Sequence, residues 1–224
     1  MERRAVPNEE CPVRVPAGRV SLEGSLCLPS QPRGLVAFAH GSGSSRHSPR
    51  NQQVAQFLRG EGLATLLFDL LTAREEADDV PTGRLRFDIG LLARRLIAAT
   101  DWLGRNPETS HLRIGYFGAS TGAAAAFIAA AERPDTVAAV VSRGGRPDLA
   151  LEALPRVKAP SLLIVGGRDL PVIEVNQIAM AKLKVKKEMA IIGGATHLFE
   201  EPGALDKVAR LAAKWFVNHL ERSP

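Results

Sequence analysis

Apolar and polar residues follow two different periods along this chain, and these periods predict strands and helices in turn. Segments 13–15 and 20–28 alternate apolar with polar residues, which predicts two strands joined by a turn at residues 17–18. Residues 35–39 are continuously apolar, a pattern typical of a strand that is buried on both faces. Two half-exposed strands are therefore expected before a buried one.

The later segments continue this succession of strand and helix patterns. Apolar residues at helical spacing predict an amphipathic helix over 85–103, and the alanine-rich run after residue 120 predicts another. Residues 71–84 are polar and acidic and contain Pro81 and Gly83, which favours a flexible surface loop. A solvated acidic rim is the preferred interpretation, and a cover over part of a substrate pocket is the alternative. Further strands are predicted at 63–69, 114–117, 136–141, 161–165 and 185–192, and further helices at 52–59, 172–183 and 204–220.

The order of these elements predicts an α/β fold. Strands that alternate with helices require right-handed crossovers, which produce a mostly parallel sheet, here of about eight strands flanked by helices. The sequence has no internal repeat and no linker, so a single domain over residues 1–224 is expected. In such sheets ligands bind outside the carboxyl ends of the strands. Loops of small residues follow several predicted strands, and the chemistry is expected to gather there.

The most informative stretch is residues 118–122, GASTG, which lies between a predicted strand and the alanine-rich helix. A chance G-x-S-x-G is expected in about one chain in ten of this length. Its position between strand and helix is the context of a nucleophile elbow, in which a sharp turn places a strained serine beside a helix N-terminus. Small residues on both sides permit that turn. Ser120 is therefore the predicted nucleophile.

A serine hydroxyl needs a general base, and the pKa of imidazole suits that task. If the base follows the nucleophile in the chain, only His197 and His219 are available. His219 falls within the last predicted helix, beside its apolar positions. His197 follows a strand in a loop that contains glycines, so it is free to bend back over the elbow. His197 is therefore the predicted base.

A carboxylate that orients the imidazole completes this type of site. Asp169 follows the predicted strand 161–165, at the edge of the sheet where the base is expected. Asp148, after the preceding strand, and Glu174, in a predicted helix, are the alternatives. Asp169 itself has another possible role as a turn or helix cap. We prefer Asp169 as the acid because of the position of its loop.

The segment 40–50, HGSGSSRHSPR, follows the early buried strand. Its first residues resemble the oxyanion loop that follows an early strand in lipases and esterases. The backbone N–H groups of Ser42 and Thr121 are the predicted donors to a tetrahedral oxyanion. His40 is expected to hold the loop through hydrogen bonds. A metal site at His40 and His47 lacks carboxylates at ligand spacing, so no metal is expected.

Composition narrows the classes of partner. Charged residues make up 24% and apolar residues 45% of the 224 residues, ordinary values for a globular protein. The net charge is +5, but basic residues are scattered among acids, so no nucleic-acid partner is expected, and the densest basic patch, residues 182–187, fits a solvated face. No apolar run is long enough to span a membrane. Residues 1–4 carry charges without an apolar segment behind them, which predicts no secretory signal and a cytoplasmic location.

These motifs resemble those of α/β-hydrolases, and most closely those of the compact branch related to dienelactone hydrolases. Segments 118–122, 167–169 and 194–197 stand where that family carries its nucleophile, acid and base, and segment 41–50 is typical of the same branch. The resemblance covers nearly all of the chain and implies an α/β-hydrolase fold. The sequence has no large insertion that could form a separate lid domain, so none is expected. The name-giving enzymes use a cysteine nucleophile, whereas this chain has Ser120.

The residues and the resemblance together predict a serine hydrolase. The preferred hypothesis is a carboxylesterase that cleaves small or short-chain acyl esters through an acyl-enzyme on Ser120. Its partner would be a small-molecule acyl substrate, and no cofactor is expected. Thioester or lactone cleavage would use the same residues. A hydrolase-fold binding protein without turnover is the alternative from another class, and the intact set of three candidate residues argues against it.

Overall fold

A computed structural model describes residues 9–221, and its framework is an eight-stranded β-sheet. Residues 1–4, on which the expectation of no secretory signal rests, lie outside the described residues. The strands are β1 (Glu10–Ala17), β2 (Val20–Cys27), β3 (Leu35–Ala39), β4 (Ala64–Phe68), β5 (Ile114–Ala119), β6 (Val137–Arg143), β7 (Ser161–Gly166) and β8 (Lys187–Ile192).

The strand order in the sheet is β1-β2-β4-β3-β5-β6-β7-β8. β2 is antiparallel to both of its neighbours, and the six strands β3 to β8 are parallel to one another. The predicted α/β-hydrolase fold with a mostly parallel sheet is thus confirmed. The chain moves outward to β4 on one side of β3 and to β5 on the other, so these central strands form a topological switch point.

Helices cover both faces of the sheet. None of those in the described residues is long and apolar enough to cross a membrane. Short 3-10 helices, which the sequence patterns did not predict, occupy Pro147–Ala150 and Leu154–Arg156. The α-helices are α1 (Pro49–Gly60), α2 (Ala73–Asp79), α3 (Ile89–Leu103), α4 (Thr121–Glu132), α5 (Leu170–Lys182) and α6 (Ala204–Leu220).

The apolar core lies in two layers, one on each face of the sheet. Side chains of α3, α4 and α5 pack on one face together with Tyr116, and those of α1 and α6 pack on the other with Phe117. Adjacent strand residues point to opposite faces, so these two aromatic residues of β5 fall in different layers. Ten of the twelve residues of α4 are buried, and most are alanines that let the helix approach the sheet closely. The helix behind Ser120 is therefore enclosed by the core.

The prediction of a flexible loop over 71–84 was wrong, because this segment contains helix α2. Thr72 and Glu75 form a capping box, in which the Thr72 hydroxyl accepts from the Glu75 N–H at 3.1 Å and the Glu75 carboxylate accepts from the Thr72 N–H at 2.8 Å. Both orphan donors of the first turn are thereby satisfied. The acidic composition was misread as a loop signal, although acids in the first turn stabilise a helix N-terminus.

The helix predicted over 85–103 begins later, at Ile89. The buried carboxylate of Asp79 accepts hydrogen bonds from the N–H groups of Leu85 and Arg86 at 2.7 and 3.1 Å, which holds these residues in a loop. Asp88 then caps the first turn of α3 through its side chain. A side-chain contact that the apolar period does not show therefore sets this boundary.

The other predicted elements are present, with ends that differ by a few residues. Helix α1 begins at Pro49 rather than residue 52, because Ser48 caps it and proline is favoured in a first turn. The last helix spans 204–220 as predicted.

Candidate active site

Ser120 lies at the sharp turn between β5 and α4, at the switch point of the sheet. Its backbone angles are φ 50° and ψ −121°, and a positive φ is uncommon for a residue that carries a side chain. The Ser120 N–H donates to the carbonyl of Arg143 at 3.2 Å, and the Ser120 carbonyl accepts from the N–H of Arg146 at 3.1 Å. These bonds to the end of β6 and the loop behind it hold the strained turn in place.

The two glycines of the motif are required because no side chain fits at either position. A Cβ on Gly118 would lie 2.5 Å from the Cα of Ala123, and a Cβ on Gly122 would lie 2.5 Å from the carbonyl oxygen of His40. Both distances are well inside van der Waals contact. The spacing G-x-S-x-G therefore lets α4 start against the end of β3, which brings the loop at His40 beside Ser120.

The two predicted oxyanion donors are neighbours in the structure. The N–H of Ser42 donates to the Thr121 hydroxyl at 2.9 Å, so a side chain of the elbow already engages it. The N–H of Thr121 lies in the first turn of α4, and no acceptor for it occurs within residues 9–221. An oxyanion at this place would bind the Thr121 N–H directly and would share the Ser42 N–H with the hydroxyl.

His40 holds the loop that carries Ser42. Its Nε2 accepts a hydrogen bond from the N–H of Leu70 at 3.0 Å, so the ring proton resides on Nδ1 and is donated to the carbonyl of Gly41, also at 3.0 Å. Burial lowers the pKa of His40, which favours the neutral ring that this pattern needs. The imidazole thus ties the end of β3 to the segment after β4.

Asp169 and His197 are in direct contact. The Oδ2 of Asp169 lies 2.6 Å from the Nδ1 of His197, a short charge-assisted distance. Asp169 occupies the cap position before α5, yet its side chain makes no capping hydrogen bond. Its carboxylate is therefore directed to the imidazole and not to the helix. The Asp169 side chain is 13% exposed and that of His197 is 38% exposed, so the outer part of the ring faces an open site.

The imidazole of His197 packs over Gly144, which directly follows β6, the strand whose end holds the elbow. A Cβ on Gly144 would lie 3.5 Å from His197 Cε1 and 3.2 Å from the His197 carbonyl oxygen. Gly144 directly follows Arg143, whose carbonyl accepts from the N–H of Ser120. In the described residues Ser120 and His197 make no hydrogen bond to each other. Such contacts are often long in a free enzyme and shorten when substrate binds.

The rival candidates from the sequence are engaged elsewhere. Asp148 forms two hydrogen bonds with Arg146, at 2.8 and 2.7 Å. Glu174 is exposed on α5. His219 lies on α6, with its Nδ1 2.8 Å from the carbonyl of Trp215, four residues earlier. Of the candidate acids and bases, the structure brings together Asp169 and His197.

The loop that carries His197 is held at both ends. Phe199 is buried and has a φ of 57°, a strained conformation for an aromatic residue. The N–H of Thr196 donates to the Glu201 carboxylate at 3.0 Å, and Glu200 binds Arg50 of α1 at 3.1 Å. Sequence reasoning missed these supports, one of which joins Arg50 and Glu200, residues that lie far apart in the chain.

A cavity of about 540 Å³ adjoins the oxyanion loop. Residues 40–45 form one wall, and Leu71, Val80 and Leu92 contribute apolar surface from the opposite side. The segment 71–84 therefore borders the cavity, and its acids Glu76 and Asp78 are exposed. Within residues 9–221, no group of three His, Cys, Asp or Glu side chains is suited to hold a metal ion.

Arg143 is a further residue near the site that the sequence did not single out. It stands in the segment 142–147, SRGGRP, which directly follows the predicted strand 136–141. The structure places it as the last residue of β6, and its side chain is buried. A charged residue at the end of an apolar strand was the available signal.

Comparison with known proteins settles the family. Residues 23–220 match the dienelactone hydrolase family. The chain belongs to this family. The crystal structure of dienelactone hydrolase from Anabaena variabilis superposes with a TM-score of 0.94 at 62% sequence identity, covering 95% of this chain and 99% of that one.

Other relatives share the fold at different distances. Two Mycobacterium tuberculosis proteins, from strains CDC 1551 and H37Rv, are 58% identical over 208 residues and are provisionally named phosphoribosyl transferases. The match covers 93% of this chain but 46% of each relative, so the chain spans about half the length of those proteins. Est1E from Butyrivibrio proteoclasticus has a TM-score of 0.78 at 15% identity, over 92% of this chain and 98% of Est1E, which is a likeness of fold.

Proposed function

We propose that this member of the dienelactone hydrolase family is a serine carboxylesterase that acts on small or short-chain acyl esters. Ser120 attacks the ester carbonyl, and His197 accepts the hydroxyl proton. The tetrahedral oxyanion receives hydrogen bonds from the backbone N–H groups of Thr121 and Ser42. His197 then protonates the departing alcohol, which leaves an acyl group on Ser120. Water, activated by His197, attacks that acyl-enzyme and releases the acid.

The 2.6 Å contact between Asp169 and His197, beside the strained Ser120, is the observation that carries this proposal. A carboxylate on Nδ1 fixes the tautomer in which Nε2 is free to accept a proton. It also stabilises the imidazolium that forms when Ser120 loses its proton. No other candidate histidine in the described residues has a carboxylate partner, since His40 and His219 both bond to the backbone.

Small substrates are favoured because the cavity beside the oxyanion loop is modest and partly polar. Its walls include the backbone of residues 41–45 and the charged side chains of Arg50, Glu76 and Arg86, next to the apolar Leu71 and Val80. A long acyl chain would meet these charges. The longer mycobacterial relatives are named for a transferase activity. The esterase activity is assigned to the part of their sequence that matches this chain.

A fluorophosphonate probe with a reporter group tests the nucleophile and the base. We expect rapid labelling of the wild-type protein, with the label on Ser120, and none of Ser120→Ala. The labelling rate of His197→Ala should fall by about 100-fold or more, since general-base catalysis contributes at least that much. His219→Ala is the matched control and should label at the wild-type rate.

Equal losses in the two histidine variants would refute the choice of base. If the folded wild-type protein neither labels nor cleaves nitrophenyl esters, the enzyme proposal fails and a binding role replaces it. The kcat/KM values are then compared across a panel of nitrophenyl esters graded by acyl length. Thioesters and simple lactones are measured alongside. Higher kcat/KM for a thioester or a lactone would assign one of those activities to the same residues.

A further inference from the structure

Thr121, the residue after the nucleophile, carries a hydroxyl group that accepts a hydrogen bond and donates none. Its oxygen accepts from the N–H of Ser42 at 2.9 Å. Within residues 9–221, no group accepts the proton of this hydroxyl. A hydroxyl group has one proton to donate and two lone pairs that accept. The proton of Thr121 therefore remains available to a molecule that enters the site.

The position of Thr121 at the start of α4 explains why its proton has this freedom. A threonine inside a helix often donates to the carbonyl four residues earlier. Thr100 of α3 does so, with its hydroxyl 2.9 Å from the carbonyl of Leu96. Thr121 is the first residue of α4, so no turn of helix precedes it. The usual acceptor is missing at this position, and the hydroxyl is left for another partner.

The hydroxyl lies between the elbow and the oxyanion loop. A Cβ on Gly41 would lie 3.1 Å from the Cβ of Ser120, so the loop packs directly against the nucleophile. The hydrogen bond from Ser42 to Thr121 joins the two segments beside this contact. Thr121 is buried, with 5% of its surface exposed. Donors that are shielded from water stabilise a developing negative charge more strongly than donors in water.

The two donors of Thr121 are able to reach one acceptor. The backbone nitrogen and the hydroxyl oxygen of a threonine are separated only by its Cα and Cβ atoms. The N–H lies in the first turn of α4 and has no acceptor among the described residues. An oxygen that accepts from this N–H is therefore within reach of the hydroxyl proton of the same residue.

Ser42 prepares the hydroxyl for this role. Its N–H occupies one lone pair of the hydroxyl oxygen, so the proton of the hydroxyl is directed away from that N–H. Donation into a hydroxyl group also polarises its O–H bond, which makes it a better donor. The side chain of threonine is branched at Cβ and restricted in χ1, so little rotamer freedom is lost when the hydroxyl binds a ligand.

We propose that the Thr121 hydroxyl is a third donor to the tetrahedral oxyanion, beside the two backbone N–H groups. When Ser120 bonds to the ester carbonyl carbon, the π electrons move to the carbonyl oxygen, and the Ser120 proton passes to His197. The Thr121 hydroxyl then donates a hydrogen bond to that oxygen and keeps its own proton. This inference rests on the proposed function, because the oxyanion forms only during acyl transfer.

Thr121→Val tests the hydroxyl, because valine has nearly the same shape and retains the backbone N–H. We expect kcat for nitrophenyl butyrate to fall by about 100-fold, as for the loss of one donor in other oxyanion holes. KM should change little, because the lost hydrogen bond forms only in the transition state. Thr121→Ser restores a hydroxyl and should recover most of kcat. Steady-state kinetics measures both constants, with circular dichroism to verify folding.

A hydroxyl that merely fills the place of the oxyanion would give the opposite result. Its removal would release the Ser42 N–H, so kcat of Thr121→Val would stay unchanged or rise. Either outcome in the folded variant would overturn the proposal. If the valine variant does not fold, Thr121→Ala carries the same test with the same expected loss.

Thr65→Val is the matched control. Thr65 is buried in β4, and its hydroxyl accepts from the Nε of Arg59 at 2.7 Å. This change therefore also removes a buried hydroxyl that a donor from another element engages. Thr65 lies near the amino end of its strand, whereas the elbow lies at the carboxyl edge of the sheet. We expect a lower Tm with kcat unchanged. An equal loss of kcat in Thr65→Val and Thr121→Val would refute a specific role for Thr121.

Trifluoromethyl butyl ketone separates this inference from the proposed function. Attack by Ser120 converts the ketone to a hemiketal oxyanion that does not turn over. Its Kd, measured by fluorine NMR, should rise in Thr121→Val by about the factor by which kcat/KM falls. Ester cleavage by the wild-type protein together with an unchanged Kd in Thr121→Val would refute the third donor alone. A folded wild-type protein that neither labels with fluorophosphonate nor binds the ketone would refute the proposed function, and this inference with it.

Discussion

At the scale of single residues, Ser120 depends on contacts that its own sequence context does not supply. Its positive φ is tolerated because the Arg143 carbonyl, at the end of β6, accepts from the Ser120 N–H, and the Arg146 N–H, in the following loop, donates to the Ser120 carbonyl. The need for glycine at positions 118 and 122 can be read directly from the motif. The hydrogen bonds to Arg143 and Arg146 come from another strand and the loop after it, and they stabilise the strained turn.

Asp169→Asn tests the acid at this scale. The amide still accepts a hydrogen bond or donates one to Nδ1, so the ring is free to adopt the wrong tautomer, and it no longer stabilises an imidazolium. We expect kcat for a nitrophenyl ester to fall by about 1,000-fold to 10,000-fold with a folded protein, as in other sites of this type. The measurement is steady-state kinetics, with circular dichroism to verify folding.

Asp148→Asn is the matched control for that change. Asp148 binds Arg146 and lies apart from His197, so kcat should remain close to that of the wild-type protein. A large loss in Asp148→Asn together with a small loss in Asp169→Asn would reassign the acid to the loop after β6.

At the scale of elements, helix α2 and the loop behind it depend on one buried carboxylate. Burial tends to raise the pKa of Asp79, but hydrogen bonds from Arg86, from the N–H groups of Leu85 and Arg86 and from Thr82 outweigh burial and lower the pKa to about 2. The segment 71–84 borders the cavity through Leu71 and Val80. Its order therefore affects the shape of the proposed substrate site.

The low pKa of Asp79 predicts an acid-dependent contribution to stability. Because the folded-state pKa lies below the ordinary value of about 4, the contribution is complete above that value and is lost as the pH falls towards about 2. The Tm of Asp79→Asn should thus be lower than that of the wild-type protein near neutral pH, and the gap should narrow as the pH falls through this window. Thermal unfolding followed by circular dichroism across that range measures the gap.

Asp78→Asn is the neighbouring control, since the Asp78 side chain is 71% exposed. Its Tm should follow that of the wild-type protein at every pH. A gap for Asp79→Asn that stays constant down to the lowest pH would mean that packing, and not the charge, makes the contribution.

At the scale of the whole molecule, the sheet brings four separate segments to one edge. β3, β5, β7 and β8 end at the loops that carry Ser42, Ser120, Asp169 and His197. Since these strands are parallel, their carboxyl ends point in the same direction, and the loops converge at the switch point between β3 and β5. The arrangement of the site is thus a property of strand order.

Phe117→Ala tests how far the central sheet supports this arrangement. Phe117 of β5 is fully buried, and its ring lies 4.9 Å from that of Phe38 on β3. Truncation should lower the free energy of unfolding by about 3–5 kcal/mol, through lost burial and the cavity that remains. Chemical denaturation with urea measures this change.

Phe87→Ala is the control for the loss of an aromatic ring. Phe87 is 59% exposed, so its truncation should change the free energy of unfolding by less than about 0.5 kcal/mol. If both variants lost the same stability, the two-layer core would not be the source of the effect.

Local patterns in the sequence were sufficient for most of the elements and for proposing the candidate residues of the site. Apolar periods located the strands and most helices, and the GASTG motif located Ser120 between a strand and a helix. They failed at α2, where the capping box of Thr72 and Glu75 was taken for a loop, and before the start of α3, where the Asp79 carboxylate holds residues 85 and 86. Polar contacts at the ends of helices hardly change the spacing of apolar residues, so that spacing does not reveal them.

By itself, the sequence determined the α/β class, the mostly parallel sheet and the candidate residues for nucleophile, acid and base, because period and motif are local properties. Only the tertiary structure decided that Asp169, and not Asp148, contacts His197, and that the Ser42 N–H is shared with Thr121. It alone placed Arg143 in the interior, with no ion pair to any residue in the described range 9–221. These outcomes depend on which loops meet at the edge of the sheet, and strand order fixes that only when the whole chain has folded.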